Sequence, residues 1–260
     1  MFRRRGNMTY RRYSKYSIEN PRVWAIGQDK DAPLEVPQLI QLLKNYGIRK
    51  GNLLDMGCGV GSHVYEFSKK GFEARGEDAD PAKITFAQER WPELDFGVGD
   101  MRKLDAVKRY GAILCINSIL VFNETNQEVL QTLKNFHRAL KKKGLLIVEM
   151  SNPFHYIKDK SFKETFVDRG KDRRAFGLKV DYEEDVNPDR QTMISKRTFY
   201  RLDNEKKVGV FRKETRMFFP QELQFFLEQA GFSVEGIFGG IGGRKGLRGA
   251  RRILAVGRKK

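Results

Sequence analysis

The run Leu53-Leu54-Asp55-Met56-Gly57-Cys58-Gly59-Val60-Gly61-Ser62-His63 constrains the fold of this chain more than any other stretch. Two leucines feed an acid and then glycines at three alternate positions, so a buried strand runs into a turn where side chains would block a ligand's approach. A dinucleotide-binding turn also places glycines between a strand and a helix, but its spacing is Gly-x-Gly-x-x-Gly. Here it is Gly-x-Gly-x-Gly, with Asp55 two residues before the first glycine. A phosphate loop presents bare backbone N–H groups and gains nothing from a carboxylate at its mouth, whereas a cationic ligand does.

Around that turn, strands and helices alternate. Residues 20–33 read as irregular, with Pro21, Gly27 and Pro33; helical spacing begins at Leu34, continues through Leu39, Leu42, Leu43 and Tyr46, and stops at Gly47. A strand at 51–56 leads into the glycine turn, a helix covers 61–70, and a second strand at 72–77 ends in Gly76-Glu77-Asp78-Ala79-Asp80-Pro81. Asp80 reads as the N-cap of a helix over 81–90, with Pro81 at its first position. A short strand at 94–98 ends in Gly99-Asp100-Met101. An apolar strand at 110–116, of the kind buried on both faces, ends in Asn117-Ser118. The spacing predicts a long helix over 124–140 running into Lys141-Lys142-Lys143-Gly144, where lysines would oppose its dipole, and a fifth strand over 145–150. From about 160 to 219 the pattern becomes alternating and rich in β-branched and aromatic residues. Turns at Asn187-Pro188-Asp189 and Asp203-Asn204-Glu205 separate the segments of an antiparallel meander. A helix over 220–230 and strands over 232–238 and 252–257 close the chain.

The glycine turn resembles the first motif of the class I S-adenosylmethionine-dependent methyltransferases, and the later elements follow in that family's order. The resemblance covers roughly residues 34–152 and 215–258. It implies an α/β fold: a Rossmann-like seven-stranded methyltransferase sheet, its last strand antiparallel beside the fifth, with the antiparallel β-meander inserted after the fifth strand. Residues 1–33 are then a basic N-terminal arm, and 34–260 a methyltransferase domain with a β-rich substrate insertion at about 155–217. The implied cofactor is S-adenosyl-L-methionine. Asp55 would face its amino-acid end, while Gly57, Gly59 and Gly61 let it lie against the backbone. Asp78 is in register to accept ribose hydroxyl protons, with Glu77 and Asp80 as neighbouring alternatives. Asp100 and Met101 would meet the adenine amino group and ring, though Asp100 equally suits an N-cap.

In that family the residues after the fourth strand come closest to the methyl group, here Asn117, Ser118 and Phe122. Carbon methylation through a covalent adduct needs an activated, partly exposed cysteine, and Cys115 lies inside a strand, so nitrogen or oxygen is the expected acceptor. Asn117 could align an exocyclic amine, with Phe122 or Phe154 stacking on a flipped base. Ser151-Asn152-Pro153-Phe154 looks like the Pro-containing run of DNA amino-methyltransferases but follows the wrong strand, so it reads as pocket wall. His155 is the candidate proton acceptor, and His63 could also border the pocket. Three histidines and two cysteines show no metal-ligand spacing, so no metal is expected.

The net charge of +17 is concentrated at the ends. Residues 1–18, with Arg3, Arg4, Arg5, Arg11 and Arg12, and residues 236–260, with Arg244, Lys245 and Arg248, contain no acid and supply 14 of the 17 charges. Basic ends interleaved with Phe2, Tyr10, Tyr13 and Tyr16 fit phosphate contact and base stacking. The first expectation is therefore RNA modification, at an exocyclic nitrogen of cytidine or adenosine in structured rRNA or tRNA. The alternative is a small-molecule N- or O-methyltransferase of the amino-sugar or natural-product type, which the core and the closing run from Gly231 to Gly240 also resemble. No run of 18 apolar residues occurs and no secretory signal is expected, so the setting is read as cytoplasmic and reducing, away from any membrane.

Overall fold

A computed structural model of the chain describes residues 20–158, 162–167, 178–242 and 246–260. Helix α1 (Pro21–Asn45) comes first, then β1 (Gly51–Met56), α2 (Ser62–Lys69), β2 (Phe72–Asp78), α3 (Pro81–Arg90), β3 (Asp95–Val98) and β4 (Tyr110–Cys115). Helix α4 (Asn126–Ala139) and β5 (Leu140–Ser151) follow, then α5 (Pro153–Lys158), β6 (Phe162–Val167), β7 (Leu178–Asn187), β8 (Thr192–Arg201), β9 (Lys207–Arg216), α6 (Pro220–Gln229), β10 (Phe232–Phe238) and β11 (Arg252–Lys259).

Seven strands form one sheet in the order β10-β11-β5-β4-β1-β2-β3, and β6 to β9 form a separate four-stranded sheet. Strands β1 to β5 run parallel, and β11 is antiparallel to both β5 and β10. This is the expected seven-stranded α/β fold with its inserted meander. The sheet is buried on both faces, as an apolar strand such as Ala112–Cys115 requires. One face packs with Leu133, Phe136, Leu223 and Leu227 from α4 and α6, the other with Leu39, Leu43, Val64 and Phe67 from α1 and α2. Parallel strands with helices on both faces put the loops at their carboxyl ends along one edge, where ligands of such sheets bind.

Three local readings need correction. Residues 21–33, read as irregular, are helical: α1 spans 25 residues with Pro33 and Pro37 inside it. Each proline removes one intrahelical bond, and the polar first half is held by tertiary contacts described below. The signal that could have found its start is Asn20 before Pro21, because the Asn20 side chain accepts from the Arg22 N–H at 3.1 Å, an N-cap with proline at the first position. Helix α4 ends at Ala139, so the three lysines do not cap it. Tyr110 pairs with Leu140 and Ala112 with Leu145, so residues 141–144 loop out of the sheet as a bulge, with Lys143 at φ 64°. Lys259 Nζ reaches the exposed end of α4 instead, donating to the carbonyls of His137 and Leu140 at 2.6 and 2.9 Å. The meander contains β6 in addition to the three segments expected.

Candidate functional site

The glycine turn is built on left-handed backbone. Gly57, Gly59 and Gly61 have φ of 81°, 59° and 86°, a region only glycine enters without penalty. Side chains from elsewhere in the chain approach the turn where these glycines lack their own. A Cβ on Gly57 would lie 2.5 Å from Ile119, one on Gly61 2.7 Å from the Phe96 ring, and one on Gly59 would strike the Gln28 amide. The turn is therefore packed by three distant segments. Asp78 closes it from below: Oδ2 accepts the Gly59 N–H and Oδ1 the Asp80 N–H, both at 2.9 Å. Glu77 instead pairs with Arg75, whose Nε is 2.8 Å away, and Asp80 caps α3 by accepting the Ala82 N–H at 2.9 Å. Of the three acids, Asp78 is the one whose carboxylate is joined to the glycine turn; Glu77 meets it through its backbone carbonyl, which accepts the Gly57 and Cys58 N–H groups at 2.7 and 3.1 Å.

Helix α1 lies across this turn and contributes residues that no local pattern marked. Gln28 Oε1 accepts the Val60 N–H at 3.0 Å, Asp29 accepts the Ser62 hydroxyl at 2.6 Å and pairs with Arg90, and Glu35 meets His63 Nε2 at 2.8 Å. Asp55 is 2% exposed. Burial, and then the charges of Asp78 and Glu35, push its pKa up to about 6 against the opposing pull of His63. Burial works against a charge on His63, but the hydrogen bond to Glu35 and the fields of Asp55, Glu35 and Asp31 outweigh it and raise its pKa. His63 thus serves as counter-charge to the buried Asp55 and to the part-exposed Glu35 of α1.

Asp100 caps the short turn at Met101–Lys103 by accepting the Arg102 N–H at 2.9 Å, and its carboxylate is paired with the Arg102 guanidinium, which holds its pKa below the ordinary value. Met101 is buried in the core, with Asn135 Nδ2 donating to its carbonyl at 3.2 Å.

After β4 the backbone turns sharply through Asn117 and Ser118, at φ 58° and 63°. The Asn117 N–H donates to Glu149 Oε2 at 2.9 Å, the Ser118 N–H to the Glu149 carbonyl at 3.0 Å, and the Ser118 hydroxyl accepts from the Ser151 N–H at 3.1 Å. Glu149, 2% exposed, receives the Arg252 guanidinium fork. Asn117 and Arg252 line two cavities at once. One, with Asp31, Glu35 and Glu149, lies under α1; the other, with Ser118, Ser151, Arg197 and Lys213, lies against the meander. Lys213 stands over the Phe122 ring, 5.0 Å from its centroid.

Not every expected residue converges here. Phe154, 53% exposed, packs edge-on against Phe219, and His155 sits in the short helix α5 with its N–H on the Asn152 carbonyl; neither lines the second cavity. Asn152 is structural, its amide tying the loop carbonyls of Leu247 and Ala250 at 3.0 and 2.7 Å. Pro153 lines the second cavity, whereas Phe154 and His155, which follow it, do not. Arg3, Arg4, Arg5, Arg11, Arg12, Arg244 and Lys245 lie outside the described residues; Arg248 is exposed. Of the other basic residues near the C-terminus, Arg252, Arg258 and Lys259 are engaged inside the fold, Arg258 with Glu235 and the Tyr46 carbonyl. Cys115 is fully buried and burial pushes its thiol pKa up, which leaves it inert as a nucleophile. Among the described residues no cluster of side chains suits a metal ion.

These features fit S-adenosylmethionine chemically. A buried carboxylate whose pKa has risen gains from a cation brought beside it, and the cofactor's sulfonium and amino groups are cations. Comparisons with known proteins agree. A family described as the methyltransferase domain matches residues 53–144. The dTDP-3-amino-3,4,6-trideoxy-alpha-D-glucopyranose N,N-dimethyltransferase of Streptomyces venezuelae is 26% identical over 156 residues, 59% of this chain and 62% of that relative. The dTDP-3-amino-3,6-dideoxy-alpha-D-glucopyranose N,N-dimethyltransferase of Streptomyces fradiae is 25% identical over 123 residues, 47% of this chain and 48% of its own length. Both matches thus span less than two thirds of the relative. An S-adenosylmethionine-dependent methyltransferase from Clostridium acetobutylicum superposes with a TM-score of 0.74 at 12% identity, covering 97% of this chain and 95% of its own, a likeness of fold. The sheet order and the glycine turn agree with that likeness of fold, and residues 53–144 carry the match to a methyltransferase domain.

Proposed function

We propose that this protein transfers the methyl group of S-adenosylmethionine to an amine of a small molecule, of the amino-sugar type. The observation that carries the reading is the similarity to curated amino-sugar N,N-dimethyltransferases. A recess closed by the meander over the ends of β4 and β5 supports it, since such a recess suits a compact acceptor. The RNA reading drew on basic ends, and Arg252, Arg258 and Lys259 are taken up by internal contacts.

The cofactor supplies an electrophilic methyl group on sulfur; the chain's part is binding, alignment and exclusion of water. In this reading Asp55 balances the cofactor's cationic end, Asp78 accepts from the ribose while bracing Gly59, and Asp100 with Met101 borders the adenine. Asn117, exposed at the junction of the two cavities, accepts a hydrogen bond from the acceptor amine and so directs its lone pair. Ser118 fixes that turn through Ser151. The two cysteines are free and buried, in keeping with a reducing cytoplasmic setting.

The test is methyl transfer from labelled cofactor to a panel of amino sugars, free and nucleotide-linked, beside total tRNA and rRNA. Label is expected in small amines, with Asn117→Ala lowering turnover far more than cofactor affinity. Label in RNA alone would overturn the proposal.

A further inference from the structure

The recess against the meander carries a charge pattern that methyl transfer by itself does not call for. Four cations line it, Arg197, Lys213, Arg216 and Arg252, against one lining carboxylate, Glu184. Three of the cations have partners: Arg252 pairs with Glu149, Arg216 with Glu222, and the Arg197 guanidinium stands over the Trp24 ring, 5.5 Å from its centroid. Glu184 accepts the Ser195 hydroxyl at 3.1 Å. Lys213 differs from these: among the described residues no carboxylate forms an ion pair with its ammonium, which rests on the Phe122 ring. The charged groups facing it are Arg197 from β8, Arg252 from β11 and Lys83 from α3, opposed by Glu184 from β7. Burial, and then these like charges, bring its pKa down to about 8. A desolvated cation among cations is unfavourable unless a counter-ion joins it. A guanidinium fork matches the oxygens of a phosphate, and an ammonium adds a point charge.

We infer that this recess is an oxyanion subsite, and that the acceptor carries a phosphate-type group, a monophosphate or diphosphate ester, seated on Lys213 and Arg197. The proposal rests on the small-molecule reading only for what else the ligand carries; the subsite itself follows from the recess. The space is about 140 Å³, enclosed between two sheets, which admits an anionic group of a small ligand more readily than the backbone of a folded polynucleotide. Because an anion restores the ammonium, binding takes up a proton near pH 8 and weakens as pH rises beyond it.

The experiment is calorimetric titration of the full chain with inorganic phosphate and with pyrophosphate, at pH 7 and pH 9 and in buffers of different ionisation enthalpy. Saturable binding is expected, weaker at pH 9, with proton uptake at pH 8; the stronger of the two probes tells monophosphate from diphosphate. Lys213→Met should weaken it tenfold or more while cofactor affinity, which reports an intact fold, is kept. Lys213→Arg should restore most of the loss, and replacing Arg3, Arg4 and Arg5 with serine should leave affinity unchanged. No saturable binding, equal affinity in Lys213→Met, or an equal loss in the arm variant would overturn the proposal, as would Lys213-dependent binding of an RNA oligonucleotide but of neither inorganic probe. Anion binding without methylation of any amine would leave the subsite standing and remove the small-molecule reading instead.

Discussion

The two cavities that meet at Asn117 and Arg252 differ in their balance of charge. Under α1 three acids, Asp31, Glu35 and Glu149, stand with Arg251 and Arg252, and Asp55 is buried nearby behind the glycine turn; against the meander Arg197, Lys213, Arg216 and Arg252 stand with the single carboxylate of Glu184. In both, a buried charge is held away from its comfortable protonation state, and the direction differs. Burial raises the pKa of Asp55 and lowers that of Lys213, so each side is poised to gain from a ligand of opposite charge. A cationic cofactor on the acidic side and an anionic acceptor on the basic side would put opposite charges on either side of the reacting centre. The partition between them is the ion pair of Arg252 and Glu149, which also anchors the Asn117 N–H.

The largest expected effect comes from breaking that partition. Arg252→Met leaves Glu149 buried without its partner, and losing one member of a buried pair costs about 3 kcal/mol or more. Urea unfolding checks this, and a loss under 1 kcal/mol would mean the pair does little for stability. Turnover should fall as well, because the Asn117 turn loses its fixed acceptor.

The next test sets the two buried charges against each other. At pH 7 both Asp55→Asn and Lys213→Met should stabilise the unliganded protein, each by at most about 3 kcal/mol, since about two pKa units are involved in each case. Their pH dependences should be opposed. The folded pKa of Asp55 is about 6 and its ordinary value 3.8, so its cost grows as pH rises from about 4 to 6 and is constant above. Lys213 has a folded value of about 8 and an ordinary one of 10.5, so its cost is full below pH 8 and fades toward 10.5. Asp55→Asn should also weaken cofactor binding, and remove the gain in affinity expected of the wild type between pH 5 and 7. Melting curves from pH 4 to 10 decide: two variants with the same pH profile would contradict the opposed charges.

These two sides also differ in how much of them the sequence revealed. The glycine turn is local: strand, acid and alternate glycines are adjacent in the chain, so its shape and the sheet it implies could be read directly. The basic recess is not local. Arg197 and Lys213 sit on neighbouring strands, and only the register that sets Arg197 opposite Phe211 and Ser195 opposite Lys213 brings them to one place. Within the meander each looks like an ordinary cation of an alternating strand. The first half of α1 was hidden for another reason. Gly27 and Pro33 argue against a helix by propensity, and the contacts of Gln28, Asp29 and Glu35 with residues 60–63 that hold it in place are over 25 residues away in sequence. Asn152, just before Phe154 and His155, was equally illegible, since its amide ties down the closing loop by a contact across nearly 100 residues.

The smallest effect concerns Gln28, where the acidic side is covered by the chain itself. Its amide accepts the Val60 N–H at 3.0 Å and lies against Gly59, on the backbone surface that the cofactor is read as using. Gln28→Ala removes one hydrogen bond to a part-buried N–H, which should cost about 1 kcal/mol of stability. Cofactor affinity should move the other way. A ligand that lies on Gly59 must first displace this amide, so removing it spares that step, and binding should tighten by a few-fold, measured by calorimetry on the unliganded protein. The double variant with Asp55→Asn separates cover from charge. If Gln28 only covers the turn, the gain persists in the double variant, because it does not depend on the carboxylate beneath. A loss of affinity in Gln28→Ala would instead make the amide part of the cofactor's own contacts, and α1 a fixed wall of the acidic cavity.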